Sequence, residues 1–260
     1  MARAATLSGV QVPWERAIVV GASSGIGAEV ARQLAAGGCR VALVARREDE
    51  LARLAATLGA ADDGTPRALA YPHDVTRPED VPALFQQVCR DLGGLNLIVY
   101  AAGILRRIGA EEYAFEKDRE TLEVNVLGAV AWLNEAAQRF GRAGTGTIVG
   151  ISSTSGDRGR RGYPVYCASK AALDTYLESL RNRVGRRGVT VVTVKPGPVA
   201  TPMTAGMTGL PFMISADEAA RRTLAAARRG ARTAYVPPRW RPIMFVIRHI
   251  PSPIFRHLNV

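Results

Sequence analysis

Short apolar runs rich in β-branched residues alternate with longer amphipathic stretches along the first 195 residues of the chain. Each short run predicts a buried strand, and the stretch after it predicts a helix that carries the chain back across the sheet. Strands connected in this way are parallel and need helices on both faces. The alternation therefore predicts an α/β fold, a doubly wound parallel sheet in three layers.

The chain shows no linker, internal repeat or low-complexity tract, so residues 1–260 are expected to form a single domain. The expected strands are 17–20, 41–45, 67–71, 95–100, 147–151 and 189–194, and the last of these closes the series. The expected helices are 25–36, 48–58, one that opens near Pro78, 121–140 and 166–184.

Two C-terminal segments depart from this rhythm. Residues 197–214 are punctuated by Gly and Pro and predict a long loop, and such loops in compact domains are usually lids or binding segments. Residues 236–260 form a tail that mixes Arg with Trp, Phe and Ile. A short helix of that composition can lie at a membrane surface, dock on its own domain or contact a partner subunit.

The chain carries 34 Lys and Arg residues against 23 Asp and Glu residues, a net charge of +11. Nine Arg residues and no acidic residue lie between Ala219 and Val260. Such a block is typical of proteins that bind nucleic acid, an anionic membrane surface or an acidic partner, and it also arises from Arg-rich composition alone. The chain lacks an aromatic-basic stacking surface and a recognition helix, which disfavours nucleic acid.

The three cysteines, Cys39, Cys89 and Cys167, are odd in number and lack the paired spacing of metal ligands. They predict neither a disulfide framework nor a metal site, and they favour a reducing setting. The first 16 residues contain no signal-peptide pattern, and the apolar run 243–247 is far shorter than the roughly 18 residues of a spanning helix. The sequence predicts a cytoplasmic protein, with peripheral membrane contact through the tail as the alternative.

A glycine-rich segment, Gly21-Ala-Ser-Ser-Gly25-Ile-Gly27, directly follows the first predicted strand and opens the first predicted helix. Glycine allows a sharp turn and a close approach of the backbone to a pyrophosphate, and the helix N-terminus offers free N–H groups to it. The same residues in another context form an ordinary tight turn. Between a strand and a helix they predict a dinucleotide site.

The end of the second predicted strand indicates which dinucleotide is bound. An acidic residue there holds the 2′-OH of NAD, whereas Arg accommodates the 2′-phosphate of NADP. This chain has Arg46 and Arg47 at that place. Arg46 offers a bidentate guanidinium and Arg47 a second contact, so the sequence favours NADP over NAD. A solvent-facing Arg at a helix entry is the alternative interpretation.

Tyr166 and Lys170 are four residues apart on a predicted helix, so their side chains share a face. A neighbouring ammonium favours the phenolate and lowers a tyrosine pKa by roughly 1–3 units. Ser153 lies thirteen residues before Tyr166 at a strand end, and Asn125 lies on a helix expected over the same edge. Tyr163 has no Lys four residues on and is interpreted as a packing or pocket-lining residue.

Taken together these motifs resemble the short-chain dehydrogenase/reductase family, whose fold is the Rossmann fold. The resemblance covers residues 14–201 in the family's order. The matching residues are Gly21 to Gly27, Asp74-Val75, Ala101-Ala102-Gly103, Asn125-Val126, Ile151-Ser152-Ser153, Tyr166-Cys-Ala-Ser-Lys170 and Pro196-Gly197-Pro-Val199-Ala-Thr201. The family's Asn-Asn-Ala-Gly is replaced by Tyr100-Ala101-Ala102-Gly103, so side-chain anchoring behind the cofactor is weakened.

The resemblance implies four catalytic residues. Tyr166 is the general acid in reduction, Ser153 hydrogen-bonds the substrate oxygen, Lys170 holds the nicotinamide ribose and tunes Tyr166, and Asn125 supports a water-linked proton path. Ser152 and Ser155 are close enough to Ser153 for a shift of register to remain an alternative. The implied cofactor-binding residues are Gly21, Ser23, Ser24, Gly25, Ile26, Gly27, Arg46, Arg47, Asp74, Val75, Ala101, Ala102, Gly103, Tyr166, Lys170, Pro196, Gly197, Val199 and Thr201.

The implied activity is hydride transfer between NADP(H) and a carbonyl or secondary alcohol, with carbonyl reduction as the expected direction. The apolar residues of 197–214 favour a hydrophobic ketone or aldehyde, with simple packing on the domain as the alternative. The resemblance also implies a homodimer or homotetramer. A non-catalytic NADP-binding redox sensor and a nucleic-acid-binding protein are the rival functions.

Overall fold

The computed structural model describes residues 13–61, 63–109 and 111–258. Seven parallel strands form the central sheet in the order β3-β2-β1-β4-β5-β6-β9, and helices cover both of its faces. The predicted doubly wound fold, the Rossmann fold, is confirmed.

The strands are β1 Arg16–Val20, β2 Arg40–Ala45, β3 Ala68–Pro72, β4 Leu97–Tyr100, β5 Gly146–Ile151, β6 Val189–Pro196, β7 Val199–Ala200, β8 Ile214–Ser215 and β9 Thr233–Val236. The helices are α1 Gly25–Ala36, α2 Glu48–Leu58, α3 Val81–Leu92, α4 Phe115–Leu122, α5 Gly128–Ala143, α6 Pro164–Val184, α7 Ala216–Arg228, α8 Trp240–His249 and α9 Ser252–Phe255.

The strand order reverses between β1 and β4. Ala17 of β1 pairs with Val41 of β2 on one side and with Leu97 of β4 on the other. The chain leaves β1 towards β2 and β3, and it later leaves β4 in the opposite direction towards β5 and β6. Connections that diverge in this way open a crevice at the carboxyl ends of the two strands, which is where open α/β sheets bind ligands.

The core lies in two apolar layers, one on each face of the sheet. In β1, Ala17 and Val19 face the layer under α1 and α7, whereas Ile18 and Val20 face the layer under α3, α5 and α6. Alternate residues of a strand point to opposite faces, so a strand covered on both faces must be apolar at every position. This requirement explains why the strands appear in the sequence as continuous apolar runs.

The long predicted helix 121–140 begins earlier and is interrupted. It starts at Phe115 as α4, passes through a π-helical turn, Glu123–Leu127, and continues as α5 to Ala143. A π-helical turn adds one residue to a helical turn and is often found at functional sites. The turn contains Asn125, which is fully buried.

The expectation that the strand 189–194 closes the series is wrong. A seventh parallel strand, β9, pairs with β6, and α7 connects the two. β9 has four residues and lies at the sheet edge, so it lacks a long apolar run. The start of α7 could have been predicted from the sequence, because Ser215 is followed three residues later by Glu218, a pattern typical of helix capping. In the structure Ser215 accepts a hydrogen bond from the backbone N–H of Glu218.

The segment 197–214 is a loop whose base is closed by pairing of β7 with β8. The segment 236–260 is less of a tail than expected, because Val236 is the last residue of β9 and the chain continues into α8 and α9. No helix in the described part of the chain is both long and apolar enough to cross a bilayer.

On α7, the Arg residues of the basic segment 219–260 lie on the solvent-facing side of a helix that packs against the domain. The apolar face of α7, including Leu224, is buried against the domain, while Arg221 and Arg228 on its other face are exposed. Arg222 forms an ion pair of 2.7 Å with Glu218 one turn earlier. For α7 the clustered charge is therefore the solvated face of a core helix.

Arg158 anchors α8 to the rest of the domain. Its guanidinium donates hydrogen bonds to the backbone carbonyl oxygens of Ile247, Arg248 and Ile250, at 3.1, 2.8 and 2.7 Å. It also lies over the ring of Phe255, 4.1 Å from the ring centre. A cation at the carbonyl end of a helix compensates its dipole and its unpaired oxygens.

We expect Arg158→Met to loosen α8 and α9 without unfolding the sheet. Loss of charge-assisted bonds to three carbonyl oxygens lowers the free energy of local opening by about 2 kcal/mol, which is roughly thirtyfold faster amide exchange in α8. Hydrogen exchange measures this effect. Arg256→Met is the matched control, because Arg256 is exposed and its side chain reaches only the adjacent His257. Equal exchange rates in the two variants would contradict the anchoring role.

Candidate active site

A cleft of about 1340 Å³ lies at the carboxyl ends of β1, β2, β4, β5 and β6. Pockets for one drug-sized ligand occupy about 300–1,000 Å³, so this cleft has room for a dinucleotide and a substrate together. Of the predicted site residues, only Asp74 and Asn125 are not among its lining. Those that line it are Gly21, Ser23, Ser24, Gly25, Ile26, Gly27, Arg46, Arg47, Val75, Ala101, Ala102, Gly103, Ser153, Tyr166, Lys170, Pro196, Gly197, Val199 and Thr201.

The glycine-rich turn is held where no side chain fits. A Cβ on Gly21, whose φ is +90°, would lie 2.4 Å from the backbone N of Ala102. A Cβ on Gly27 would lie 2.2 Å from the carbonyl oxygen of Gly21. The backbone of α1 therefore begins in direct contact with the turn, and the turn is in direct contact with the chain after β4. This close packing is what a pyrophosphate cradle requires.

Arg47 ties the end of β2 to this turn. Its guanidinium donates to the hydroxyl oxygens of Ser23 and Ser24, at 2.8 and 2.7 Å. Ser24 precedes the first residue of α1, yet its side chain makes no capping bond to that helix. The first-turn N–H groups of α1 are therefore not capped by this side chain.

Arg46 is exposed at the rim of the cleft and lies 3.6 Å from the carboxylate of Asp74, measured between Nη1 and Oδ2. Burial raises the pKa of Asp74, but hydrogen bonds from Thr76 and the charge of Arg46 outweigh it, so the pKa is below its ordinary value. Asp74 is thus ionised at neutral pH and orients Arg46. Its neighbour Val75 lines the cleft directly.

Ser153, Tyr166 and Lys170 meet at one end of the cleft. Ser153 lies two residues after the end of β5, and its side chain hydrogen-bonds that of Tyr166. Its Oγ also accepts the backbone N–H of Ser155 at 3.0 Å, which fixes the serine rotamer. The hydroxyl of Ser152 is committed elsewhere, because it donates to the backbone oxygen of Lys170 at 3.2 Å. The geometry therefore favours Ser153 over its neighbours as the partner of Tyr166.

Lys170 is buried and its Nζ donates to the carbonyl oxygen of Ile151 at 3.1 Å. Burial lowers the pKa of Lys170 to about 8, and the charge of Asp174 opposes that shift. The Nζ lies 5.7 Å from the centre of the Tyr166 ring. A cation with so low a pKa is close to releasing its proton at neutral pH.

The pKa of Tyr166 differs from the expectation. Burial raises it above its ordinary value, although the hydrogen bond with Ser153 and the charge of Arg160 act in the opposite direction. Lys170 was expected to lower this pKa and is not among the groups that do so. Its ammonium donates to the carbonyl oxygen of Ile151. Arg160 was not identified from the sequence.

Asn125 reaches the site from the π-helical turn. Its Oδ1 accepts the backbone N–H of Ile104 at 2.8 Å, and its Nδ2 donates to the carbonyl oxygen of Ile104 and to Ser169 Oγ, both at 3.0 Å. The amide therefore joins the chain after β4 to α6. Its part in a proton path stays a prediction.

A buried ion cluster supports the Ser153 turn and was missed by the sequence analysis. Lys195 of β6 lies 2.5 Å from Asp157 and 2.8 Å from Asp174 of α6, and Tyr235 of β9 donates to Asp157 at 2.8 Å. Asp157 ends the short turn that starts after Ser153. The detectable signal was a Lys within an otherwise apolar strand, since a buried charge requires a partner.

The substrate end of the cleft has an apolar wall. Met203, Met207, Leu210 and Phe212 of the loop 197–214 contribute to it, whereas Met213 of the same loop is exposed and is not part of the cleft lining. Trp240, Ile243 and Ile247 of α8 face the same space. Phe212 packs edge-on against Trp240 with ring centres 5.9 Å apart, so loop and helix form one surface.

We expect Gly27→Ala to weaken NADPH binding at least tenfold, because a Cβ there meets the Gly21 carbonyl oxygen and displaces the turn. Fluorescence titration of NADPH measures the dissociation constant. Gly185→Ala is the matched control, because open space surrounds a Cβ at that position. Unchanged NADPH affinity in a folded Gly27→Ala variant would show that this turn is not the phosphate cradle.

Comparison with known proteins agrees with this geometry. The family described as short chain dehydrogenase matches residues 15–209. An uncharacterised oxidoreductase of Mycobacterium tuberculosis is 32% identical over 245 residues, which cover 93% of this chain and 96% of the relative. A short-chain dehydrogenase from Sphingobium yanoikuyae, solved in complex with NADPH, superposes with a TM-score of 0.78 at 27% identity and covers 92% of this chain and 97% of its own. An actinorhodin polyketide ketoreductase solved with NADPH gives a TM-score of 0.75 at 28% identity, over 86% of this chain and 95% of its own. The chain therefore belongs to the short-chain dehydrogenase/reductase family of oxidoreductases.

Proposed function

We propose that this chain is an NADPH-dependent reductase of a hydrophobic ketone or aldehyde. The observation that carries the proposal is the hydrogen bond between Ser153 and Tyr166 beside the buried Lys170, at the end of a cleft that begins at a glycine cradle. A proton donor and a second hydroxyl directed at one point are what a carbonyl oxygen needs as it gains charge.

The nicotinamide supplies the hydride that forms the new C–H bond when the cofactor is bound. Tyr166 donates its phenolic proton to the carbonyl oxygen, so that C=O, hydride and proton together give the alcohol. Ser153 donates a hydrogen bond to the same oxygen and stabilises the negative charge on it. Lys170 is fixed by the Ile151 carbonyl, with its Nζ 5.7 Å from the centre of the Tyr166 ring, and the hydroxyl of Ser153 and the charge of Arg160 favour the tyrosine that has given up its proton. In oxidation of an alcohol the same groups act in reverse order.

The preference for NADPH over NADH rests on Arg46 and Arg47. Asp74 orients Arg46, and the serines of the glycine-rich turn orient Arg47, so two guanidinium groups lie at the end of β2 where the 2′-phosphate of the adenosine is expected. Two structurally similar proteins, a short-chain dehydrogenase and a polyketide ketoreductase, were solved with NADPH, which supports the same choice here.

The proposal of a hydrophobic substrate is based on the apolar wall formed by the loop 197–214 and α8. Met side chains adapt to irregular apolar shapes, and Trp240 and Phe212 supply large flat surfaces. Carbonyl compounds with an extended apolar body match such a wall. The alternative function, a non-catalytic NADP-binding sensor, does not use the paired Ser153 and Tyr166.

The exposed side of α8 offers an apolar and basic surface for contact with another subunit or a membrane. Phe245 and Val246 are largely exposed, and Arg241 and Arg248 lie beside them in the sequence. Within this proposal the protein is cytoplasmic and acts as a homodimer or homotetramer, and this face contacts either a second subunit or an anionic membrane surface. Both contacts stay predictions.

We expect Tyr166→Phe to lower kcat for reduction of a carbonyl substrate by roughly a thousandfold, because general acid catalysis contributes about 10²–10⁴. NADPH binding should persist, since the variant removes only one hydroxyl. The assay is NADPH oxidation across a panel of hydrophobic aldehydes and ketones. Tyr176→Phe is the control on the same helix, because Tyr176 contacts Asn134 of α5 away from the cleft. Failure of the wild-type protein across a broad panel would favour the sensor function.

We expect Arg46→Ala to raise KM for NADPH about tenfold or more and to change KM for NADH much less, because only NADPH carries the 2′-phosphate. Steady-state kinetics with each cofactor measures this difference. Arg53→Ala is the matched control, since Arg53 is an exposed residue of α2 paired with Glu50. A wild-type preference for NADH, or an equal loss with both cofactors, would contradict the assignment of Arg46.

A further inference from the structure

Every Asp, Glu, Lys or Arg residue found in the described lining of the cleft is a cation. Seven charged residues face it, namely Arg46, Arg47, Arg106, Arg107, Arg160, Arg161 and Lys170, whereas no Asp or Glu is among its described lining residues. When the charged residues around a partly enclosed space are all positive, they produce a positive potential there that attracts anions. A dinucleotide phosphate accounts for Arg46 and Arg47 only.

The remaining cations differ in whether the protein already neutralises them. Arg106 is bonded through two nitrogens to the carboxylate of Glu120. Arg107 donates to the backbone oxygen of Ala205 at 2.8 Å, which holds it against the loop 197–214 without cancelling its charge. These contacts leave uncompensated positive charge on the substrate side of the cleft.

Arg160 is a cation of the cleft with an unbonded side-chain nitrogen. Its Nε is buried from solvent and has no hydrogen-bond partner among the described residues. None of the ion pairs found in the described parts of the chain includes it. Buried donors in proteins are nearly always bonded, so Arg160 lacks the kind of partner that Glu120 gives to Arg106, and its side chain lines a cleft that an anion can enter.

The position of Arg160 relates it to the reacting atoms. It begins a turn closed by a hydrogen bond from the backbone N–H of Tyr163 to its own carbonyl oxygen, and that turn leads directly into α6. Its positive charge is near enough to lower the pKa of Tyr166. A group bound by Arg160 therefore lies in the same part of the cleft as the substrate carbonyl.

We propose that Arg160 binds an anionic group of the substrate, a carboxylate or a phosphate, while the apolar body of the substrate lies along Phe212 and Trp240. This inference rests on the proposed reductase function and specifies its substrate class as an anionic amphiphile with a reducible carbonyl. Arg suits this role because its planar guanidinium binds either oxyanion through two parallel hydrogen bonds.

The test uses three aldehydes that share one reacting group: 4-formylbenzoate, 4-formylphenyl phosphate and the neutral methyl 4-formylbenzoate. We measure kcat/KM with NADPH for the wild-type protein, Arg160→Gln, Arg160→Lys and Arg186→Gln. Arg186 is the matched control, because it is exposed in the turn after the far end of α6. The two anionic probes distinguish a carboxylate site from a phosphate site.

We expect the wild-type protein to prefer at least one anionic aldehyde over the ester by about tenfold or more. Arg160→Gln should remove most of that preference, Arg160→Lys should restore part of it, and Arg186→Gln should retain it. Equal kcat/KM for anionic and neutral probes in the wild-type protein would overturn the proposal. An unchanged ratio in Arg160→Gln, with an equal loss for all probes and a shifted pH profile, would also overturn it and make Arg160 a positioning residue for Tyr166.

A binding measurement separates this proposal from the reductase function. In the presence of NADP⁺ no hydride is available, so calorimetry reports binding of the three aldehydes without turnover. Weaker binding of an anionic probe to Arg160→Gln, with no such change in Arg186→Gln, supports the anion site even if no aldehyde is reduced. Binding of every probe independent of Arg160 overturns the anion site even if reduction is observed.

Discussion

The close approach of Gly21 to the backbone of Ala102 is the contact on which the site depends. These residues follow β1 and β4, the two strands between which the connections diverge. A Cβ on Gly21 would lie 2.4 Å from the Ala102 nitrogen, so the two chains meet only because one of them has no side chain there. That contact brings the start of α1 and the chain after β4 to the same edge, at the crevice lined by the residues predicted to bind the cofactor.

At the other end of the cleft, buried charge rather than close backbone packing keeps the reactive groups in place. Lys195 contacts Asp157, which ends the turn after Ser153, and Asp174 of the helix that carries Tyr166. Burial raises the pKa of Asp174, whereas the charge of Lys195 lowers it. An ion cluster of this kind gains little stability over apolar packing, but it fixes one relative position of the elements it joins.

The net charge of +11 has several separate physical meanings in the folded protein. Arg158 supports the carbonyl end of α8, Arg221 lies on the solvated face of α7, and Arg47 binds the hydroxyls of the glycine-rich turn. Arg160 is the cation left with a buried, unbonded nitrogen in the cleft. The count of charges in a sequence does not distinguish these cases, because each depends on which groups the fold places nearby.

The sequence by itself determined the architecture and most of the site, because both depend on local patterns. Apolar runs and amphipathic stretches specified six of the strands, and Gly21, Gly27 and the Tyr166–Lys170 spacing pointed to residues that the fold brings together in one cleft. The seventh strand was missed because its four residues are largely unburied at a sheet edge and form no apolar run. Tertiary structure alone decided that Lys170 is bonded to Ile151 rather than to the tyrosine and that α8 joins the loop 197–214 in one apolar wall. It also decided that Arg160 Nε is buried with no hydrogen-bond partner among the residues that the structure describes. Those outcomes depend on contacts between residues far apart in the chain, whose distances and burial are set only when the whole sheet and its helices have packed.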